Sequence, residues 1–127
     1  MKRILVADDN LWEVRDLIKK LQLQYLVEHV KDGRSALYRI NQGGLAAAIL
    51  DHDMLPEDVL AHEAESFYGS NFAKTARNLH PDLALVLRST IADRFSLDLK
   101  PYDVFCHNKG WGHKDDDPIF DYLRRRL

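Results

Sequence analysis

The chain has 127 residues, a length that suits a single domain, residues 1–127, with one hydrophobic core. Hydrophobic residues make up 46% and the formal net charge is −2, so no long-range attraction to nucleic acid or to an anionic membrane is expected. The one cysteine, Cys106, excludes an internal disulfide, and no stretch approaches the ~20 apolar residues of a membrane span. The composition therefore predicts a cytoplasmic protein.

Short apolar runs alternate along the chain with segments that repeat apolar residues every three or four positions. The runs predict buried strands and the repeats predict amphipathic helices. The predicted strands cover residues 4–7, 25–30, 46–50, 83–87 and 102–106. The predicted helices carry their apolar faces within residues 11–21, 36–40, 71–79 and 119–123.

This alternation predicts an α/β fold in which a doubly wound, five-stranded parallel sheet lies between two layers of helices. Residues 91–100 leave room only for a shortened fourth helix, because Pro101 limits it. In such sheets, ligands bind beyond the carboxyl ends of the strands, near the point where strand order reverses.

Three acidic residues stand at the predicted ends of two neighbouring strands. Asp8 and Asp9 follow the first strand, and Asp51 follows the third. Three carboxylates brought together repel one another unless a cation is present, and Mg²⁺ prefers carboxylate, carbonyl and water oxygens. The sequence therefore predicts a magnesium site.

Other polar residues after the strands fit phosphoryl transfer to a carboxylate. A carboxylate such as Asp51 can act as nucleophile and form an aspartyl phosphate. Lys109, past the fifth strand, can supply a cation for the transferring group. Ser89 or Thr90, past the fourth strand, can donate a hydrogen bond to a phosphoryl oxygen.

Four segments of the sequence resemble the receiver domain of response regulators, the CheY-like family. They are residues 4–10 (ILVADDN), 32–37 (DGRSAL), 49–51 (ILD) and 80–83 (HPDL). The resemblance implies a flavodoxin-like fold with strand order 2-1-3-4-5, for which a receiver is itself a known example. It also implies that Asp51 accepts a phosphoryl group from a histidine kinase or a phosphotransfer protein.

The same resemblance implies roles for individual residues in binding Mg²⁺. Asp9 and Asp51 would ligate the ion directly, and the backbone carbonyl of Asp53 would assist them. Asp8 would act mostly through water.

Three further roles follow from the resemblance. Ser89 would be the switch hydroxyl, and Lys109 would pair with the phosphoryl group. On phosphorylation, Phe105 would move as the reporter of a two-state change that a downstream protein partner recognises.

The sequence departs from the family pattern in three places: after Asp51, near the fifth strand, and in the shortened fourth helix. A proline that the family usually has four residues after its aspartate is Pro56 here, five after Asp51, which indicates an inserted residue and an insertion spanning 56–69. If no residue were inserted, His52 would take the place of the aspartate. Near the fifth strand, Asn108, Lys109 and Lys114 compete for the lysine position.

We expect a stand-alone receiver that is not an enzyme beyond self-phosphorylation and autodephosphorylation, and that docks to protein partners without binding nucleic acid or membrane. One alternative is a pseudo-receiver, an interaction module of the same fold that is not phosphorylated. Another is a small Mg²⁺-dependent phosphoesterase that uses Asp51 and Asp53. A softer metal such as Zn²⁺ held by His52, His62 and His107 is a further possibility.

Overall fold

The computed structural model describes residues 1–52, 68–109 and 115–127, which contain a five-stranded parallel sheet. The strands lie in the order β2-β1-β3-β4-β5, as predicted for a flavodoxin-like fold. Their bounds are Arg3–Ala7 (β1), Leu26–Val30 (β2), Ala47–Leu50 (β3), Ala84–Ser89 (β4) and Val104–Asn108 (β5).

Helices cover both faces of the sheet. The α-helices are Leu11–Leu21 (α1), Gly33–Asn41 (α2), Gly69–Leu79 (α3), Ser96–Leu99 (α4) and Asp117–Arg126 (α5). The prediction of a shortened fourth helix is confirmed, because α4 is a single turn between the 3₁₀ turns Ala92–Phe95 and Lys100–Tyr102. Within the described ranges, no helix is long and apolar enough to cross a membrane.

The hydrophobic core has two layers, separated by the sheet. Strand β3 is buried along its whole length and sends alternate side chains into each layer. Ala48 and Leu50 pack with apolar residues of α2, α3 and α4, whereas Ala47 and Ile49 pack with those of α1 and α5. Both faces of the sheet are therefore buried at β3, and the acid that follows this strand, Asp51, lies at its carboxyl end.

The last two strands lie further along the chain than their hydrophobicity predicts. Strand β4 continues beyond residue 87 because Arg88 and Ser89 still pair with the neighbouring strand, opposite His107 and Asn108 of β5. Strand β5 accordingly starts at Val104 instead of residue 102. A pattern based on apolar side chains ends a strand at its first polar residue, but backbone pairing does not.

Gly69 allows α3 to begin directly against the end of β3. Its N–H donates to the carbonyl of His52 at 2.6 Å. A Cβ at this position would lie 2.5 Å from the carbonyl oxygen of Asp51 and 2.7 Å from the side chain of Leu87. Only a residue without a side chain fits this close approach.

Candidate functional site

The three predicted acids meet at the carboxyl edge of the sheet. Strands β1 and β3 are neighbours in register, with Ala7 beside Leu50, so the residues after them are brought together. One carboxylate oxygen from each of Asp8, Asp9 and Asp51 lies within 4.8 Å of the others. Asp8 is 2% exposed and Asp51 is 9% exposed, whereas Asp9 faces solvent.

Backbone hydrogen bonds that extend the sheet hold these acids in place. The N–H of Asp8 donates to the carbonyl of Val30 at 3.0 Å, and the N–H of Asp51 donates to that of Ala7 at 2.9 Å. An oxygen of the Asp8 carboxylate accepts from the N–H of Asn10 at 2.8 Å. The acids are therefore fixed by the sheet itself and by the start of α1.

Lys109 is the cation that reaches this cluster. Its N–H donates to the carbonyl of Ser89 at 3.0 Å, which places its side chain just beyond β5. The Nζ atom lies 3.3 Å from Oδ1 of Asp51, 3.6 Å from Oδ2 of Asp8 and 2.7 Å from Oε2 of Glu13. The ammonium thus contacts three carboxylates at once.

The pKa values of Asp51 and Lys109 are both raised, for different reasons. Burial raises the pKa of Asp51 to about 6, and the charge of Asp8 adds to this increase while Lys109 opposes it. Burial acts to lower the pKa of Lys109, but the hydrogen bond to Glu13 and the charges of Asp51 and Asp8 outweigh it and leave the pKa raised. Lys109 therefore stays protonated, and Asp51 ionises at a higher pH than an exposed aspartate.

The competition among the predicted lysine positions is answered in part by these contacts. The side chain of Asn108 is turned to the chain after β4, where its Oδ1 accepts from the N–H of Asp93 at 2.9 Å. Lys109, not Asn108, contacts Asp51. Lys114, the backbone carbonyl of Asp53 and the proposed insertion before Tyr68 lie outside the described residues.

The two hydroxyls after the fourth strand differ in their surroundings. Ser89 is 4% exposed, and its Oγ accepts from the N–H of Ile91 at 3.2 Å. This bond leaves the hydrogen of the Ser89 hydroxyl to donate elsewhere. Thr90 is exposed, so Ser89 is the hydroxyl that is enclosed by the fold.

Phe105 and Ser89 lie on opposite faces of the sheet. Phe105 pairs with Val86 and joins the core layer of α1 and α5, where its ring stacks on Tyr122 at 4.9 Å between centroids. Cys106, the next residue, packs in the layer of Leu85 and Leu87, on the side of Ser89. A direct steric exchange between the Ser89 and Phe105 side chains is therefore not available in this arrangement.

His52 does not take part in the acidic cluster. Its ring stacks between Tyr68, at 5.3 Å, and Phe95, at 4.6 Å between centroids. His107 lies elsewhere, 3.5 Å from Asp116, and His62 is outside the described residues. Across the described ranges, the only group of three or more potential metal-binding side chains is the acidic cluster.

Two charged features of the site region have no counterpart in the sequence prediction. One is Glu13, whose contact with Lys109 is described above. The other is Arg88, which is 1% exposed and donates through Nε and Nη2 to the carboxylate of Asp116 at 2.8 and 3.2 Å. Burial favours the neutral acid, but hydrogen bonds from His107 and Arg88 hold the pKa of Asp116 below its usual range.

The geometry defines a flavodoxin-like α/β domain whose carboxyl edge carries three acids and a lysine. No family model matches the sequence, and no curated protein sequence matches it. Among solved structures, the chain is similar to the response regulator TrrA of Thermotoga maritima in complex with Mg²⁺-BeF, with 24% identity, full coverage of both chains and a TM-score of 0.78.

Two further structures give the same result. The BeF₃-activated DrrB receiver domain is 19% identical, with 100% of this chain and 97% of that chain covered and a TM-score of 0.75. The chemotaxis protein CheY4 of Vibrio cholerae is 20% identical, with 100% and 99% covered and the same TM-score. This chain has the fold of response-regulator receiver domains, which confirms the predicted resemblance at the level of the fold.

Proposed function

We propose that this protein is a response-regulator receiver in which Asp51 accepts a phosphoryl group with the help of Mg²⁺. The observation that carries the proposal is the meeting of Asp8, Asp9 and Asp51 within 4.8 Å, with Nζ of Lys109 3.3 Å from Asp51. The similar structures of TrrA and DrrB, with Mg²⁺-BeF and BeF₃ respectively, support it by analogy.

The donor set fits a hard divalent cation. All three side chains offer carboxylate oxygens, and no nitrogen or sulfur ligand joins them among the described residues. Asp9 and Asp51 would be direct ligands, with the carbonyl of Asp53, and Asp8 would act through water because one of its oxygens is engaged by Asn10. A bound Mg²⁺ would supply positive charge to the oxygens of the transferring group.

The chain's own residues provide the rest of the chemistry. An oxygen of Asp51 forms a bond to phosphorus while the bond from phosphorus to the donor's leaving group breaks, and the leaving group keeps the electron pair. The ammonium of Lys109 and the hydroxyl of Ser89 donate to the oxygens of the transferred group. Burial of Asp51 limits the access of water to the acyl phosphate.

The donor would be a phosphohistidine of a histidine kinase or of a phosphotransfer protein, and a downstream protein partner would recognise the phosphorylated state. Phosphorylation adds about −1.5 to −2 charges at Asp51, which draws Lys109 and Ser89 toward the phosphoryl group. Any response of Phe105 would have to pass through the sheet or through α5, because Ser89 faces the other side.

Intact-mass measurement tests the proposal. We expect incubation with acetyl phosphate and Mg²⁺ to add the mass of one phosphoryl group, and we expect Asp51→Asn or removal of Mg²⁺ to abolish the addition. Asp16→Asn is the matched control, since Asp16 is an exposed acid of α1. Absence of an adduct under every condition would instead favour a pseudo-receiver, and steady turnover of a phosphoester that Asp53→Asn abolishes would favour a phosphoesterase.

A further inference from the structure

The shortest contact of the Lys109 ammonium is with Glu13, not with the proposed phosphoacceptor. Nζ lies 2.7 Å from Oε2 of Glu13 and 3.3 Å from Oδ1 of Asp51. An ammonium has three hydrogens to donate, and a hydrogen bond between ions is strongest at about 2.7–2.9 Å. Glu13 therefore makes the closest of the three contacts of Lys109, and the hydrogen bond to Asp51 is the longer one.

The backbone of Glu13 is fixed by helix α1. It belongs to the first turn of α1, where the helix dipole favours a carboxylate. Its side chain is 38% exposed, whereas that of Lys109 is 9% exposed, so Glu13 stands at the rim of the site. The lysine side chain is the longer and more adaptable partner, and it is the one expected to move.

How the Lys109 ammonium is shared among its carboxylate partners affects both cation binding and phosphoryl transfer. Three carboxylates surround its ammonium, from Asp8, Glu13 and Asp51, and Asp9 completes the acidic cluster. Each interaction of Lys109 with Asp51 or Asp8 opposes the binding of a cation by the same oxygens. Each interaction of Lys109 with Glu13 competes with the pairing of its ammonium to a phosphoryl group on Asp51.

We infer that Glu13 is a positioning residue that shares the Lys109 ammonium with Asp51 and Asp8 and weakens its hold on them, so that the acids stay open to Mg²⁺ and the lysine leaves Glu13 only when a phosphoryl group competes for it. The inference rests on the proposed function of Asp51. It differs from a merely structural role, because it predicts effects of opposite sign on the two steps.

The first step is Mg²⁺ binding. In Glu13→Gln, Lys109 turns fully to Asp51 and Asp8, and we expect Mg²⁺ affinity to fall by about fivefold, as for the loss of one charged contact of moderate strength. The second step is acceptance of the phosphoryl group. At saturating Mg²⁺, the freed Lys109 and the loss of one repelling carboxylate should raise the rate of labelling by acetyl phosphate by about threefold.

Calorimetric titration with Mg²⁺ and time-resolved intact mass with acetyl phosphate measure these two steps in the full chain. Glu13→Asp keeps the charge but withdraws the carboxylate from Nζ, and we expect it to move both quantities in the same directions as Glu13→Gln. Asp16→Asn, which removes an exposed acid from the same helix, should change neither by more than about twofold.

A double-mutant cycle shows whether Glu13 acts through Lys109. We expect the effect of Glu13→Gln on Mg²⁺ affinity to shrink at least by half in a Lys109→Met background. An undiminished effect there, or changes of the two steps in the same direction, would overturn the inference. A wild-type protein that is never labelled overturns the proposed function instead, while the Mg²⁺ cycle still decides the role of Glu13.

Discussion

Asp51 is an acid that folding buries beside a second carboxylate, and this makes stability depend on pH. Its pKa is about 6 in the folded chain, above the usual value of 3.8, so the unfolded state releases this proton at lower pH. The sign follows from linkage: the folded state is favoured below the unfolded pKa and loses that advantage as the pH rises through 6.

We therefore predict that Asp51→Asn stabilises the protein in the absence of divalent cations. At pH 8 the gain in the free energy of unfolding should be about 1–3 kcal/mol, from 1.36 kcal/mol per unit of pKa, and it should shrink toward zero as the pH falls to about 4. Urea unfolding in EDTA at several pH values measures it. The exposed Asp16→Asn should show no such trend, and a loss of stability in Asp51→Asn at pH 8 would refute the prediction.

The site residues that could be predicted from the sequence are those that directly follow a predicted strand. An aspartate directly after a buried strand signals the carboxyl edge, so Asp8, Asp9 and Asp51 could be placed together from the pattern of apolar runs. Glu13 and Arg88 could not be found in this way. Glu13 looks like an ordinary exposed acid of a helix, and only the path of the chain to Lys109 gives it a partner.

Arg88 illustrates the same limit more strongly. An arginine after an apolar run reads as the end of a strand, since a buried guanidinium needs a partner. Its partner, Asp116, lies 28 positions further along the chain, so no local sequence pattern pairs the two. Asp116 is at the N-cap but makes no side-chain cap bond, because its carboxylate is used by Arg88.

At the scale of elements, the start of α3 is the feature most closely fitted to the site. Gly69 lets this helix touch the backbone of Asp51 and His52, and the aromatic ring of Tyr68 just before it stacks on His52. The sequence predicted the helix within 71–79, but a glycine next to a helical pattern did not indicate an approach this close. Apolar periodicity locates the buried face of a helix and says little about what its first turn contacts.

We predict that Gly69→Ala destabilises the protein by about 1–3 kcal/mol, as expected for overpacking against backbone that cannot move freely. The new Cβ would lie 2.5 Å from the Asp51 carbonyl oxygen. Chemical denaturation measures the change, and Thr75→Ala, at an exposed position of the same helix, is the control that should change stability by less than about 0.5 kcal/mol. Equal stability of Gly69→Ala and wild type would contradict the close packing.

At the scale of the whole molecule, the sheet order followed from simple rules. Strands that alternate with helices pair in parallel with right-handed crossovers, and continuous apolar runs mark the strands covered on both faces. The central strand β3 and its neighbours match these rules. The predicted bounds of the edge strand β5 were two residues too early. This strand is only partly buried and mixes polar with apolar side chains, so its sequence pattern is weak.

A divalent cation that binds only the folded molecule should stabilise the whole fold. We predict that Mg²⁺ raises the free energy of unfolding by an amount that grows with the logarithm of its concentration, about 2.7 kcal/mol at 100 times its Kd. Asp9→Asn, which removes an exposed member of the acidic cluster, should greatly reduce this gain. Thermal unfolding at several Mg²⁺ concentrations measures it, with Asp16→Asn as control. A Tm that does not respond to Mg²⁺ would argue against a cation site here.

The ion pair of Arg88 and Asp116 also limits how the last helix can move. Asp116 stands at the first end of α5, and its partner is a fully enclosed arginine of the central sheet. Pulling such a pair apart leaves a dehydrated charge, at a free-energy cost of about 3–5 kcal/mol. The contacts at the other end of α5, such as the exposed ion pair of Arg126 with Asp103, are weaker. A shift of this helix is therefore expected to pivot about Asp116 and to be largest near Arg126.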